Sequence, residues 1–324
     1  MGLTDAARQL IERIEVLRDL EGVVAELMAR HEEKRELWFP EDLLGPPPGE
    51  DPDRHEDALR ARAAGIPDHA RAALALNLLT EEGLPHFHRV LAVHLGHGSV
   101  WREWTNLWTA EEDRHGVVLS AYARTTRIFD QRRLEQLQFE YLRRGFDPQW
   151  DQDPYRVFVY TTLQERATQQ SHSQTGKVVA QYDPLLGDAL SRVATEEARH
   201  FNFYRSVFEA VLQRDPDGAL HAASLVMPAI DMPAVAMPGF KEFADVIRRS
   251  GIYGPRDYLR IVQEQIRSWR IETLTGLGEM GRRAQERILE VPDRLRRIAD
   301  LMETRARART FQFEVVFNRE FAME

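Results

Sequence analysis

Two pentapeptides in this chain share one pattern, EEDRH at residues 111–115 and EEARH at residues 196–200. Each residue of an α-helix turns about 100°, so Glu112 and His115 fall on one face, as do Glu197 and His200. A carboxylate and an imidazole so placed can share one metal ion. The earlier acids, Glu111 and Glu196, stand four residues before the same histidines, so spacing alone does not choose between the glutamates of each doublet. Two further carboxylates follow apolar stretches where patterning would not place a charge, Glu81 in LNLLTEEGLPHF and Glu165 in FVYTTLQERAT. Two helices each giving Glu-x-x-His, and two each giving one Glu, make up the ligand set of ferritin-like di-iron carboxylate proteins. Such a centre activates dioxygen. A single Glu-x-x-His is usually only a solvated helix face. The second copy and the two lone glutamates are what favour a metal site. His86, His88, His94, His97 and His172 lack comparable partners and read as core or surface residues.

Composition narrows the chemistry further. The 324 residues include no cysteine, which excludes disulfides, thiolate nucleophiles and a cysteine-ligated iron–sulfur cluster. Any metal must be held by His, Asp or Glu, ligands that suit iron or manganese. The net charge of −9 argues against broad nucleic-acid binding. Charge is nevertheless uneven, with nine Arg against five acids in residues 281–310 and twelve acids against six bases in residues 1–50. No window approaches the roughly 18 uncharged apolar residues of a membrane span. The N-terminus mixes charges of both signs without an apolar centre, so a cytoplasmic protein is expected.

The elements that must carry these residues are helical. Apolar residues recur at helical intervals through residues 5–36, including Ile11, Ile14, Leu17, Val23, Val24 and Leu27. The segment FPEDLLGPPPGEDPD is rich in Pro, Gly and acids and reads as an irregular connection. Helical patterns then follow at about 69–95, 99–126, 131–145, 154–181, 184–212 and 255–285. Acid-proline steps at Asp147, Asp153, Asp183 and Asp215 punctuate them. Only FQFEVVFNREF, from Phe311, reads as strand or hairpin. The fold expected is all-α, a ferritin-like four-helix di-iron bundle with additional helices and a short hairpin-like tail.

The motifs LLTEEGLPHF, WTAEEDRHG, LQERATQQSH, ATEEARHFNFY and WRIETLTGLGEMGRRAQ, with VPDRLRRI and the tail, resemble the soluble acyl-carrier-protein desaturases of plant plastids and actinobacteria. The likeness runs from about residue 15 to the end, so a single desaturase domain over 1–324 is implied. Its parts are an N-terminal helix and loop (about 1–60), the bundle (about 62–215), and C-terminal helices and tail (about 216–324). The resemblance implies six ligands, Glu81, Glu112, His115, Glu165, Glu197 and His200, holding two irons, with O2 as co-substrate. Glu196 resembles an acid that joins a ligand histidine to a buried tryptophan, and Trp38 and Trp108 resemble tryptophans between surface and cluster. Simple core packing is the other reading of both. Thr168 resembles a threonine facing the oxygen site.

By the same resemblance Val90, Val93, His94, Val157 and Phe158 would line the acyl channel, with His94 standing where an apolar residue is usual. Acyl carrier protein would dock on Arg294 and Arg297, a ferredoxin-type carrier would supply electrons, and the chain would form a homodimer. The expected reaction inserts a cis double bond into a carrier-bound acyl chain. A desaturase-like hydroxylase of a secondary pathway would use the same residues.

Overall fold

The computed structural model describes residues 5–95, 98–148, 150, 153–304 and 307–324. The chain opens with α1 (Asp5–Asp19) and α2 (Glu21–Glu33). The Pro-rich connection is not wholly irregular, since it holds the short α3 (Pro40–Leu44) and ends in α4 (Pro52–Ala64). The expected helix over 69–95 is two, α5 (Asp68–Glu81) and α6 (Leu84–Leu95). They part at Gly83, where a Cβ would lie 2.4 Å from the Tyr141 hydroxyl and 2.9 Å from the Thr80 carbonyl. Then come α7 (Ser99–Thr126), α8 (Gln131–Arg144), α9 (Pro154–Val179), α10 (Pro184–Arg214) and α11 (Pro216–Val226).

Aspartates before prolines start several of these helices. Asp51, Asp153, Asp183 and Asp215 each accept a hydrogen bond from a backbone N–H of the first turn of α4, α9, α10 and α11. A cap of this kind is worth about 1 kcal/mol, and proline at the first position costs nothing because that N–H has no helical partner. After α12 (Phe240–Arg249) and α13 (Pro255–Ser268) the pattern expected to run to residue 285 breaks. Arg270 takes a left-handed conformation (φ 50°) ahead of a short 3₁₀ turn, and α14 (Glu279–Thr304) begins afresh. Its start is capped from another helix, because Asp217 of α11 accepts the N–H groups of Gly278 and Gly281, both at 2.9 Å. The tail is a hairpin, β1 (Arg309–Gln312) antiparallel to β2 (Glu320–Met323), with Phe311 opposite Phe321. Phe313 stacks on Phe243 of α12 and anchors it.

Helices α9 and α10 share the most extensive packing in the molecule. Around them the apolar interior divides in two. One core takes Trp101, Trp104 and Trp108 of α7 and Phe203 to Leu212 of α10. The other takes Val118 to Ala123 of α7, Leu186 to Val193 of α10 and Ala70 to Leu79 of α5. Between the two runs a layer of buried polar residues contributed by α5, α7, α9 and α10. Among the described residues no helix is long and apolar enough to cross a membrane.

Candidate metal centre

All six residues singled out as ligands meet in that polar layer. Each helix places its own: Glu81 ends α5, Glu112 and His115 lie a turn apart on α7, Glu165 is on α9, and Glu197 and His200 are a turn apart on α10. They form two overlapping quartets, Glu81, Glu112, His115 and Glu197, and Glu112, Glu165, Glu197 and His200. In each quartet the donor atoms lie within 4.8 Å of one another. Glu112 and Glu197 belong to both, the position of carboxylates that bridge two ions. His115 Nδ1 lies 3.4 Å from Glu112, 3.5 Å from Glu197 and 3.7 Å from Glu81. His200 Nδ1 lies 2.7 Å from Glu112 and 3.8 Å from Glu165.

The doublets divide their labour across helices. Glu111 of α7 accepts from Nε2 of His200 on α10 at 2.8 Å, and Glu196 of α10 accepts from Nε2 of His115 on α7 at 3.0 Å. With both Nε2 atoms so engaged, the two Nδ1 atoms are left facing the carboxylates. Glu196 is also held by Arg114, at 2.7 and 2.9 Å, and by Arg199 at 2.8 Å. The Arg114 guanidinium lies over the Trp38 ring, 5.4 Å from its centroid. Trp108 donates its indole N–H to Glu165 at 3.1 Å.

The electrostatics call for added positive charge. Burial and the neighbouring Glu197 and Glu112 push the Glu165 carboxyl well above its ordinary range. Burial would lower His200, but Glu111 and Glu112 raise it to about 9, and His115 is raised well above normal against the same burial by Glu112, Glu196 and Glu197. Burial alone would raise Glu81 and Glu196, yet neighbouring groups hold each at about 2, the imidazoles of His115 and His172 in the first case and His115 with Arg114 in the second. Four carboxylates buried around two imidazoles therefore depend on retained protons for compensation. Several buried atoms of the layer, including the Nδ1 atoms of His115 and His200, Glu165 Oε2 and Glu197 Oε2, have no partner in hydrogen-bonding geometry among the described residues. Such atoms are costly unless something binds them. A pair of divalent cations fits this donor set.

Two histidines not matched to partners in the sequence bear on the centre. His172 contacts Glu81 Oε1 through Nε2 at 2.7 Å. It lies seven residues after Glu165 on α9, two helical turns along the same face, and that spacing was the available signal. His31 of α2 contacts Glu111 through Nε2 at 2.8 Å, and nothing in the sequence near it pointed there. His88 pairs with Thr109, His94 contacts the Val90 carbonyl, and His86 packs edge-on against Tyr141. His97 lies outside the described residues.

One side of the layer opens onto a cavity of about 700 Å³ with mainly apolar walls. Its buried end is formed by Glu81, Thr168 and His172, and exposed residues of α12 and α14, including Lys241, Arg294, Ile298 and Met302, form its rim. Thr168 bonds through Oγ1 to the carbonyls of Gln164 and Glu165 at 3.2 and 3.1 Å. Arg297 is exposed but is not on the cavity wall. The cavity does not follow the course expected for the acyl channel, since Val90, Val93, His94, Val157 and Phe158 are absent from its walls. Val93 is 49% exposed, and Val157 and Phe158 are sealed in the core. Phe87 stacks on Phe146 and on Tyr160 at 5.7 and 5.9 Å between centroids, and Phe146 lies tilted against Tyr160 at 5.9 Å.

Four helices converging carboxylates and histidines on one buried layer beside an apolar cavity define a ferritin-like oxidoreductase whose donor set fits metal ions. Residues 12–317 match the fatty acid desaturase family, and the chain belongs to it. It is 36% identical over 329 residues to stearoyl-[acyl-carrier-protein] 9-desaturase 1, chloroplastic, of Oryza sativa subsp. indica, covering 95% of this chain and 86% of that one. It is 33% identical to palmitoyl-[acyl-carrier-protein] 4-desaturase 3, chloroplastic, of Ophrys sphegodes, over 95% of this chain and 82% of that one. The X-ray structure of DesA2 from Mycobacterium tuberculosis H37Rv shares the fold, with a TM-score of 0.61 at 20% identity over 82% of this chain and 99% of that one.

Proposed function

We propose that this protein is an acyl-[acyl-carrier-protein] desaturase that uses two iron ions and O2 to place a cis double bond in a carrier-bound saturated acyl chain. The observation that carries this reading is the pair of quartets sharing Glu112 and Glu197, set beside an apolar cavity whose buried end includes Glu81 and Thr168. Methylene C–H bonds have no useful acidity, so acid–base groups alone cannot remove two adjacent hydrogens. The bound irons would be held by Glu81 and His115 on one side, by Glu165 and His200 on the other, and by Glu112 and Glu197, which belong to both quartets, and would supply the O2-dependent oxidation. The overall reaction consumes O2, two electrons and two protons, and yields the alkene and two waters.

The chain's own residues then have defined tasks. The apolar walls hold the acyl chain with one pair of carbons beside the centre and exclude bulk water. Thr168, on the wall a turn after Glu165, is placed to hand a proton between cavity and centre. Glu196, Arg114 and Trp38 form one connected path outward from His115, and Trp108 forms another from Glu165; either suits electron entry. With no cysteine in the chain, electrons must come from a separate carrier of ferredoxin type. At the rim Lys241 and Arg294 make no ion pair among the described residues and would meet the phosphate of the carrier's pantetheine arm. A homodimer in the cytoplasm completes the reading, and light scattering of the purified protein tests the dimer.

The decisive experiment supplies reductant, O2 and a panel of acyl carrier proteins charged with saturated chains, followed by mass analysis of the released acids. Loss of two hydrogens is the expected result. Gain of one oxygen would identify a hydroxylase instead.

A further inference from the structure

Glu111 and Glu196 do the same work for opposite halves of the centre, but they are held very differently. Glu196 has two guanidinium donors besides His115, at 2.7 to 2.9 Å. Glu111 has His200, then Arg35 at a long 3.4 Å, and His31 at 2.8 Å. We propose that His31 is a positioning residue of the metal centre. It donates its Nε2–H to Glu111 and so keeps that carboxylate where it can orient His200 with Nδ1 toward the ligand cluster. This rests on the two-iron reading given above.

The geometry supports a specific rather than incidental contact. One carboxylate oxygen, Oε2 of Glu111, takes both imidazoles, each at 2.8 Å. The rings of His31 and His200 stand nearly parallel, 13° apart with centroids at 5.7 Å, while Trp104 presses edge-on against His31 at 5.2 Å. The His31 side chain is 3% exposed and that of Glu111 1%. A carboxylate this deeply buried needs its donors, and losing one leaves it poorly compensated. At Glu196 a second arginine would remain after the loss of either. At Glu111 loss of His31 leaves, besides the ligand histidine His200 itself, the distant, partly exposed Arg35. His31 is not on the cavity wall, so it touches no substrate and acts only through Glu111 and His200. It also ties α2, outside the four ligand-bearing helices, to the His200 side of the centre.

The test compares His31→Gln, which retains an N–H donor, with two donor-less variants, His31→Phe and His31→Met, each first checked for native helicity. Ferrous binding is followed by equilibrium dialysis, and the iron environments by Mössbauer spectroscopy. Loss of the donor should weaken one of the two irons by about 10–100-fold, the usual effect of removing a group that orients a ligand. The other iron should keep its affinity, and one of two Mössbauer components should change. His31→Gln should return to within a few-fold of the parent. Combining His31→Phe with Glu111→Ala should add nothing to Glu111→Ala alone, because both act through one carboxylate. The assignment is overturned by parental affinity and spectrum in a folded donor-less variant, by equal weakness of His31→Gln, or by additive losses in the double variant. A parent protein unable to bind two irons would instead remove the metal centre itself.

Discussion

Glu112 and Glu197 each lie among both sets of donor atoms, whereas Glu81 and Glu165 belong to one set each. The consequence for metal binding is a competition with protons. Burial works against charge on His200, yet Glu111 and Glu112 raise its pKa to about 9, so below that pH the ring carries the proton that a cation must displace. A raised pKa means the competition fades as pH rises toward 9. Iron affinity should therefore climb at least tenfold per pH unit between about 6.5 and 8.5, with release of one or more protons per chain. Calorimetry in buffers of different ionisation enthalpy measures that release, and an affinity flat across this range would refute it. The spacing of each pentapeptide left Glu111 against Glu112, and Glu196 against Glu197, undecided. The choice depends on which acid reaches the histidine of the opposite helix, a tertiary contact with no sequence signature. His31 was invisible for the same reason, being 80 residues from its partner.

At the scale of elements, what the sequence made legible followed from local chemistry. The Asp-Pro steps at 153, 183 and 215 do start helices because cap and proline act within one turn, whereas Asp147-Pro148 starts none. The break before α14 was not legible, since its N-terminal N–H groups are capped by Asp217 from a different helix. Nor was the split at Gly83, where Tyr141 of α8 crowds the backbone. That crowding gives the turn a function, because Glu81 projects from the last residue of α5. In Gly83→Ala the new methyl would meet the Tyr141 ring and hydroxyl and the Thr80 carbonyl. Overpacking of this kind costs about 1–3 kcal/mol. A lowered unfolding midpoint in calorimetry is expected, together with weaker iron binding as the end of α5 shifts. Unchanged iron affinity in a destabilised variant would show that Glu81 is held from α9, through His172, rather than by the turn.

At the scale of the whole molecule, two cores are joined through a layer whose own charges repel, so cations bound there would act as a fastener between them. Ligand binding to the native state alone adds roughly 2.7 kcal/mol per site when free metal is a hundredfold above its dissociation constant. For a chain of this size, about 1.5 °C per kcal/mol, removal of both ions by a chelator should lower the unfolding midpoint by roughly 8 °C. Re-addition of ferrous iron should restore it, and a midpoint indifferent to chelation would leave the layer without that role.

The net charge of −9 repels an acidic carrier protein at long range, so productive encounter has to be steered by a local exception. Under the proposed function that exception is Lys241 and Arg294, where the apolar cavity meets solvent, and neither makes an ion pair among the described residues. Arg297 is equally basic and close in sequence, but it is not on the cavity wall. If long-range attraction alone guides docking, charge reversal at either arginine should raise KM for the acyl carrier substrate alike. If the rim also holds the phosphate of the arm, Arg294→Glu should raise KM severalfold more than Arg297→Glu and flatten its dependence on ionic strength. Because Arg294 is exposed at the rim whereas Glu81 is buried, kcat at saturating substrate should stay within about twofold in both variants. Steady-state kinetics over 0.05–0.3 M salt, roughly a twofold range of screening length, distinguishes the cases, and equal KM for the two variants would remove Arg294 from the docking rim.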